Sequence, residues 1–303
     1  MDTAPQNPPR TRRSVIAVPP LARNPQGKVC QVENEKIIHF LELGGVDLLL
    51  YGGNALFYHL RFSEYADVLQ MLATTVADST GVIPSVGPAY GLMMDQIDVL
   101  KDFDFPTAMV LPAREIQDAA GLASGIRDAA QELQRPLVLY IKFDRWMDPA
   151  DVRRLYDDGL ISWIKYAVVR ENPSEDAYLR ELLDVVPGER IVSGIGEQPA
   201  IVHMREFGVN GFTSGCVCVA PQRSMQMLQA IQEDDLETAE AIRQSFAPLE
   251  ELRNEINPIR VLHHAVQEAG IAKTGSMLPM VSDLSSDLVQ RVAVGTRETM
   301  ATG

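Results

Sequence analysis

A lysine closing an almost wholly apolar run is the residue of this chain with the most distinctive chemistry. The stretch Leu160-Ile161-Ser162-Trp163-Ile164-Lys165-Tyr166-Ala167-Val168-Val169 holds one charged group, Lys165. An amine there is partly desolvated, which lowers its pKa and supplies the neutral form that attacks a carbonyl. The same pattern also fits a lysine that snorkels to water at a strand end. Tyr140 closes the preceding apolar run, Leu137-Val138-Leu139-Tyr140. A phenol beside such an amine can shuttle protons while a carbinolamine forms and loses water; a core tyrosine with a satisfied hydroxyl is the plainer alternative.

Further polar residues close other apolar runs. Tyr51-Gly52-Gly53-Asn54 offers backbone N–H groups that an anion can approach closely, with Asn54 as an extra donor; the same residues also make an ordinary turn. Arg145, five residues beyond Tyr140, could clamp a carboxylate with its bidentate fork or simply be solvated. Arg114 and the loop Ser193-Gly194-Ile195-Gly196-Glu197, with Gly194 and Gly196, stand where the far end of a substrate would be selected, and Thr213-Ser214-Gly215 closes the last run. Cys216 and Cys218 lack a second Cys/His cluster at metal-ligand spacing and read as small buried residues. His263-His264 reads as a surface or interface pair. Asp47 and Asp144 are the carboxylates nearest to strand ends, and neither has an evident partner for a two-carboxylate hydrolase.

The elements that must position these groups alternate. Short runs, near-continuously apolar as in a parallel sheet covered on both faces, fall at Ser14–Val18, Val46–Tyr51, Val82–Ser85, Thr107–Leu111, Leu137–Ile141, Leu160–Lys165, Arg190–Ser193 and Gly211–Thr213. Helical periodicity lies between them. One stripe is Phe62, Tyr65, Val68, Leu69, Leu72 and Val76; another is Ile116, Ala119, Ala120, Ala123, Ile126, Ala130 and Leu133. Asp148-Pro149 predicts an N-cap followed by proline in the first turn. Eight such β/α units predict a closed (β/α)₈ TIM barrel over residues 14–227, an α/β fold with active sites at the C-terminal ends of its strands. The rival open doubly wound sheet lacks its G-x-G-x-x-G, since only Pro19-Pro20 follows the first strand. Residues 228–303 predict a C-terminal helical extension, with helices near Asp235–Arg253, Pro258–Ala269 and Asp283–Val292. Residues 1–13, polar and proline-rich without an apolar signal core, predict a flexible N-terminal arm.

A formal net charge of −14 argues against sequence-independent nucleic-acid binding, though an anionic substrate can still meet a locally positive site. No apolar run approaches the roughly 20 residues needed to span a bilayer. Three cysteines, an odd and sparse set, fit a reducing cytoplasm better than a disulfide scaffold.

Taken in order from Ser14 to Pro221, these segments resemble the dihydrodipicolinate synthase/N-acetylneuraminate lyase family of class I aldolases. Tyr51–Leu60 looks like the family's G-T-T-G-E-F-x-x-L motif, Tyr140 stands in its Y-N-x-P position and Ile164-Lys165 in its I-K position. Ser193-Gly194 and Gly211–Pro221 resemble the late S-G-D and G-x-I-S-x-x-x-N-x-x-P segments. The resemblance implies a (β/α)₈ barrel, usually a homotetramer, with no metal or organic cofactor. It carries Lys165 over as the imine-forming residue, Tyr140 as proton shuttle, and Arg145 as a holder of a second carboxylate. The departures are specific. Gly53 and Asn54 replace paired threonines, Leu56 replaces a glutamate, and Pro112-Ala113-Arg114 replaces P-Y-Y. The first change has some likeness to the ketodeoxyglucarate dehydratase branch. Together they remove the threonine–tyrosine relay and point away from a true dihydrodipicolinate synthase.

The expected function is therefore a Schiff-base-forming lyase, an aldolase or a dehydratase, acting on a 2-keto acid such as pyruvate or a 3-deoxy-2-keto sugar acid. Its carboxylate would sit on Gly52, Gly53 and Asn54, with Arg145, Arg114, Gly194 and Gly196 toward the distal end. The alternative is a family member that binds a keto acid without turning it over.

Overall fold

Pro84 breaks the third stave of the sheet in two. In the computed structural model, which describes residues 1–301, the strands are β1 (Ile16–Ala17), β2 (Leu48–Leu50), β3 (Gly81–Ile83), β4 (Ser85–Val86), β5 (Met109–Val110), β6 (Leu137–Ile141), β7 (Ile161–Tyr166), β8 (Ile191–Ser193) and β9 (Thr213–Ser214). Proline has no N–H for the ladder, so β3 pairs back to β2 while β4 pairs on to β5. The Pro84 carbonyl keeps the stave continuous by accepting from the Met109 N–H at 2.8 Å.

All pairings are parallel, in the orders β3-β2-β1-β9 and β4-β5-β6-β7-β8. A parallel bridge between Ser193 and Phe212 joins β8 to the start of β9 and closes the ring. β3 and β4 thus act as one stave, and the eight staves form the predicted (β/α)₈ barrel.

Helices α2 (Gln31–Leu43), α3 (Phe62–Thr75), α4 (Tyr90–Leu100), α5 (Ala119–Leu133), α6 (Pro149–Asp157), α7 (Ala177–Leu183), α8 (Ala200–Glu206) and α9 (Pro221–Gln232) follow the staves in turn. Asp148 caps α6 as its sequence predicts, accepting from the Ala150 N–H at 2.8 Å. The predicted α3 stripe is buried except for Phe62, at the exposed first turn. Ile116 does not join the α5 stripe. Asp118 caps that helix from the Gly121 N–H, which leaves Ile116 outside it and exposed.

The N-terminal segment is ordered, contrary to the flexible arm expected for residues 1–13. Pro8–Arg12 form a short helix, α1, against the N-terminal end of the barrel. Arg10 is buried and ion-paired to Asp2 at 2.9 Å and Asp47 at 2.7 Å, while Asn210 donates at 2.7 Å to the Pro8 carbonyl. The polar composition that suggests disorder is here a set of mutually satisfied partners, which hydropathy cannot register. Asp47 accordingly belongs to the end of the barrel opposite Lys165 and Tyr140.

The C-terminal extension comprises α10 (Leu236–Glu255), α11 (Pro258–Glu268) and α12 (Ser286–Ala301). Because α9 completes the eighth β/α unit, the barrel ends near Gln232, slightly beyond the expected boundary. The last helix continues past Val292 through Gly295. A Cβ at Gly295 would lie 2.9 Å from Leu252 and 3.2 Å from the Pro248 carbonyl, so glycine serves close packing of α12 on α10.

Among the described residues no helix is long and apolar enough to cross a membrane.

Candidate active site

The pleat of β7 sends alternate side chains to opposite sides. Tyr166 faces the helices, donating to Asp176 at 2.7 Å and packing against Tyr178 and His203. Lys165 therefore faces the lumen. Register sets Tyr140 of β6 directly beside it, and the Lys165 Nζ lies 4.4 Å from the Tyr140 ring centroid.

Lys165 is only 5% exposed, and all of β7 is buried. Burial, reinforced by the positive charges of Lys142 and Arg253, lowers its amine to a pKa of about 7. Burial pushes the Tyr140 phenol up to about 12, so it is a neutral proton donor at ordinary pH. Among the described residues the Tyr140 hydroxyl and the Lys165 amine each meet no hydrogen-bond partner in the protein. Tyr140 is also the one residue of β6 that is not fully buried. Both groups thus keep unused hydrogen-bonding capacity.

Gly53, Asn54, Tyr58, Tyr140, Gly194 and Arg253, in the neighbourhood of the buried lysine, are all partly exposed. The β2 loop brings in the first three. Among the described residues the backbone N–H groups of Gly53 and Asn54 donate to no protein acceptor. Gly52 differs from this expectation: it is buried, and a Cβ there would stand 2.7 Å from Met109, so it serves packing. The Asn54 side chain is fixed by donation to the Val18 carbonyl at 2.9 Å, and the Asn54 backbone carbonyl meets His263 Nε2 at 2.9 Å. His263 is therefore a buried support of this loop, unlike the surface pair expected, with its imidazole held near a pKa of 4 by burial.

Gly194 abuts the lysine itself, since a Cβ on it would lie 3.0 Å from Lys165 Cγ. Gly196 plays a different part from the one expected. Its φ of +100° and missing side chain admit Glu250 of α10, which accepts from the Glu197 N–H at 2.9 Å. The loop is thereby filled from within rather than left open for a substrate tail. Ser193 is also committed elsewhere, its hydroxyl 2.9 Å from His203 Nδ1 on the helix side.

Arg145 is not brought to the lysine. It forms a bidentate pair with Glu181 of α7, at 2.8 and 2.6 Å, and is exposed. Sequence spacing fixes how far a loop residue is from a strand end but not which way it turns, and the carboxylate on α7 decides that here. Asp144 pairs outward as well, with Arg170. Arg114 stands on the rim, stacked 4.2 Å over the Phe143 ring.

Three groups at the mouth escape the strand-end reading. Tyr58 lies on a short turn after β2 and donates to the Pro112 carbonyl at 2.8 Å. Glu250 and Arg253 come from α10, a helix outside the barrel's repeating units. Their spacing with Phe246 and Leu249 marks one helical face, the signal that could have found them. Glu197, Cys216 and Glu250 bring ligand-type atoms within 4.8 Å of one another. Glu197 is already satisfied there by the Ser214 and Ser224 hydroxyls at 2.8 and 2.6 Å, and Arg253 donates to Cys216 Sγ at 3.7 Å. Burial and the neighbouring Glu197 hold Glu250 well above the usual carboxylate range. A separate groove of about 870 Å³ is lined by Arg23, His59, Arg61 and Met277 and contains neither Lys165 nor Tyr140.

Fold and site together define a (β/α)₈ barrel that carries a desolvated amine beside a phenol at its C-terminal mouth. Residues 12–294 match the profile of the Dihydrodipicolinate synthetase family. The chain is 27% identical over 284 residues to a 4-hydroxy-tetrahydrodipicolinate synthase of Pseudomonas putida, covering 90% of this chain and 94% of that one. It shares the fold of dihydrodipicolinate synthase from Bacillus clausii, with a TM-score of 0.83 at 21% identity over 94% of this chain and 97% of the other. It also matches YagE of E. coli K12, a family member solved in complex with pyruvate, at a TM-score of 0.81 and 20% identity over 94% and 98% of the two chains. The chain belongs to the Dihydrodipicolinate synthetase family.

Proposed function

We propose that the protein is a Schiff-base-forming lyase acting on a 2-keto acid, with Lys165 as the nucleophile. The observation that carries this reading is the Lys165 amine, lowered to about 7 and unpartnered in the lumen, with Tyr140 4.4 Å away. The substrate carboxylate rests on the free N–H groups of Gly53 and Asn54, and the neutral amine attacks C2. Tyr140 gives a proton to the resulting carbinolamine oxygen, which leaves as water, and the protonated imine forms. That imine accepts the electron pair released when a C–C bond breaks or a C3 proton is removed, giving an enamine. Two family relatives bear on the substrate. The Pseudomonas putida relative is a 4-hydroxy-tetrahydrodipicolinate synthase, and YagE was solved with pyruvate. Gly53, Asn54 and Ala113 stand where a synthase carries hydroxyl groups. We therefore read the chain as an aldolase or a dehydratase of a 3-deoxy-2-keto acid rather than as a synthase.

Borohydride reduction in the presence of pyruvate is the test. A mass increase of one reduced pyruvate, mapped to Lys165, is expected. Folded protein that yields no adduct with pyruvate or any other 2-keto acid would leave a binder without turnover as the better reading.

Gly194→Ala probes the support of the lysine. The new methyl would meet Ala167 Cβ at 2.7 Å and the Tyr166 carbonyl at 2.8 Å, and the backbone carbonyl cannot rotate aside as a side chain can. Relief requires β7 and β8 to part, which moves Lys165. Misplacing a reacting group by about 1 Å costs on the order of 100-fold, so trapping should slow by roughly that factor while the circular dichroism spectrum is retained. An unchanged trapping rate would show that the close contact does not position the amine.

A further inference from the structure

Arg253 is a cation at the mouth that has no carboxylate partner among the described residues. It sits on the face of α10 that carries Phe246, Leu249 and Glu250 inward. Among the described residues no carboxylate oxygen lies within ion-pair distance of it. Its Nε is buried without a partner, and its Nη1 meets only the weak acceptor Cys216 Sγ at 3.7 Å. Burial and Glu197 hold the carboxyl of Glu250, one turn earlier on the helix, well above the usual carboxylate range. Glu197 also faces it, and that side chain already accepts from two hydroxyls.

Gly215, immediately after β9, locates the guanidinium. A Cβ placed there would lie 2.9 Å from Arg253 Nη2 and 3.1 Å from Asn54 Nδ2. Two donors from distant parts of the chain thus converge over one glycine, beside the free N–H groups of Gly53 and Asn54. Both side chains remain half-exposed. We propose that Arg253 binds the C1 carboxylate of the 2-keto acid, in concert with Asn54, making the C-terminal extension part of the substrate site. This rests on the Schiff-base reading above and deepens it. The physical sense is charge economy: a cation that helps keep the Lys165 amine neutral is compensated when the anionic substrate arrives. Paired hydroxyls in the β2 loop become dispensable when a guanidinium takes over the anion.

The test compares pyruvate with methyl pyruvate, which presents the same ketone without the negative charge. Half-saturation of borohydride trapping on Lys165 is measured for the wild-type chain, Arg253→Met and Arg253→Lys. A charge-assisted hydrogen bond is worth about 1.5–3 kcal/mol, or roughly 10- to 150-fold. Arg253→Met should raise the half-saturating pyruvate concentration by that factor and move methyl pyruvate less than about 3-fold, with Arg253→Lys between. Removing the charge also raises the Lys165 pKa, but that affects both ketones alike, so their ratio isolates anion binding. Equal shifts for both compounds, or no shift in either, would overturn the assignment. If the wild-type chain traps neither ketone, the Schiff-base reading falls. Calorimetric titration with pyruvate then decides the present inference by itself: binding lost in Arg253→Met keeps it, and binding retained or never seen ends it.

Discussion

Lys165→Met is expected to abolish the pyruvate adduct and to lower turnover by more than about 10⁴-fold, the scale seen when a covalent nucleophile is removed. The variant should fold, because methionine keeps the aliphatic stem and discards a buried polar group. It should in fact be more stable than the wild-type chain near neutral pH. The folded-state amine has a pKa of about 7, against 10.5 for an ordinary lysine. Between those values the unfolded chain binds a proton that the folded chain does not, so unfolding is favoured there by proton uptake. The wild-type fold gains stability as pH rises from about 7 toward 10.5, and Lys165→Met removes that dependence. Thermal melting of both proteins at pH 7 and pH 10 checks this. Trapping by the wild-type chain should rise about tenfold per pH unit below 7 and level off above it, as the neutral fraction saturates. Adduct formation in Lys165→Met, at any lysine and at wild-type rate, would sink the assignment.

Tyr140→Phe is expected to slow imine formation by roughly 10²- to 10⁴-fold, the usual contribution of a positioned general acid–base group. The phenol holds its proton up to about pH 12 and has no protein partner, so it is free to protonate the departing hydroxyl and take the proton back. Because that hydroxyl is unpartnered, its loss leaves no orphaned group and the melting temperature should change little. Stopped-flow observation of adduct formation should show slow dehydration following unaltered initial binding of pyruvate. A rate within about threefold of wild type would assign the proton transfers elsewhere, with Tyr58 the nearest phenol to examine. Its hydroxyl is already committed to the Pro112 carbonyl, which makes it the poorer donor.

The barrel and the juxtaposition of Lys165 with Tyr140 were legible in the sequence for a local reason. Strands covered on both faces are apolar throughout, so Lys165 and the terminal Tyr140 stand out against them, and consecutive parallel strands place such residues side by side. The half-exposed Gly53–Asn54 turn was legible on the same ground. Three things were decided by the tertiary structure alone. Arg145 lies at the expected spacing but turns to Glu181, because the direction of a loop side chain depends on which charge another helix presents. Residues 1–13 look unstructured until Asp47 and Asn210 supply partners from 37 and 202 residues away. Arg253 and Glu250 enter the mouth from a helix that the β/α pattern does not include. Periodicity reports what each segment buries, and it is silent on which distant segment a polar group meets when the barrel closes and α10 packs across it.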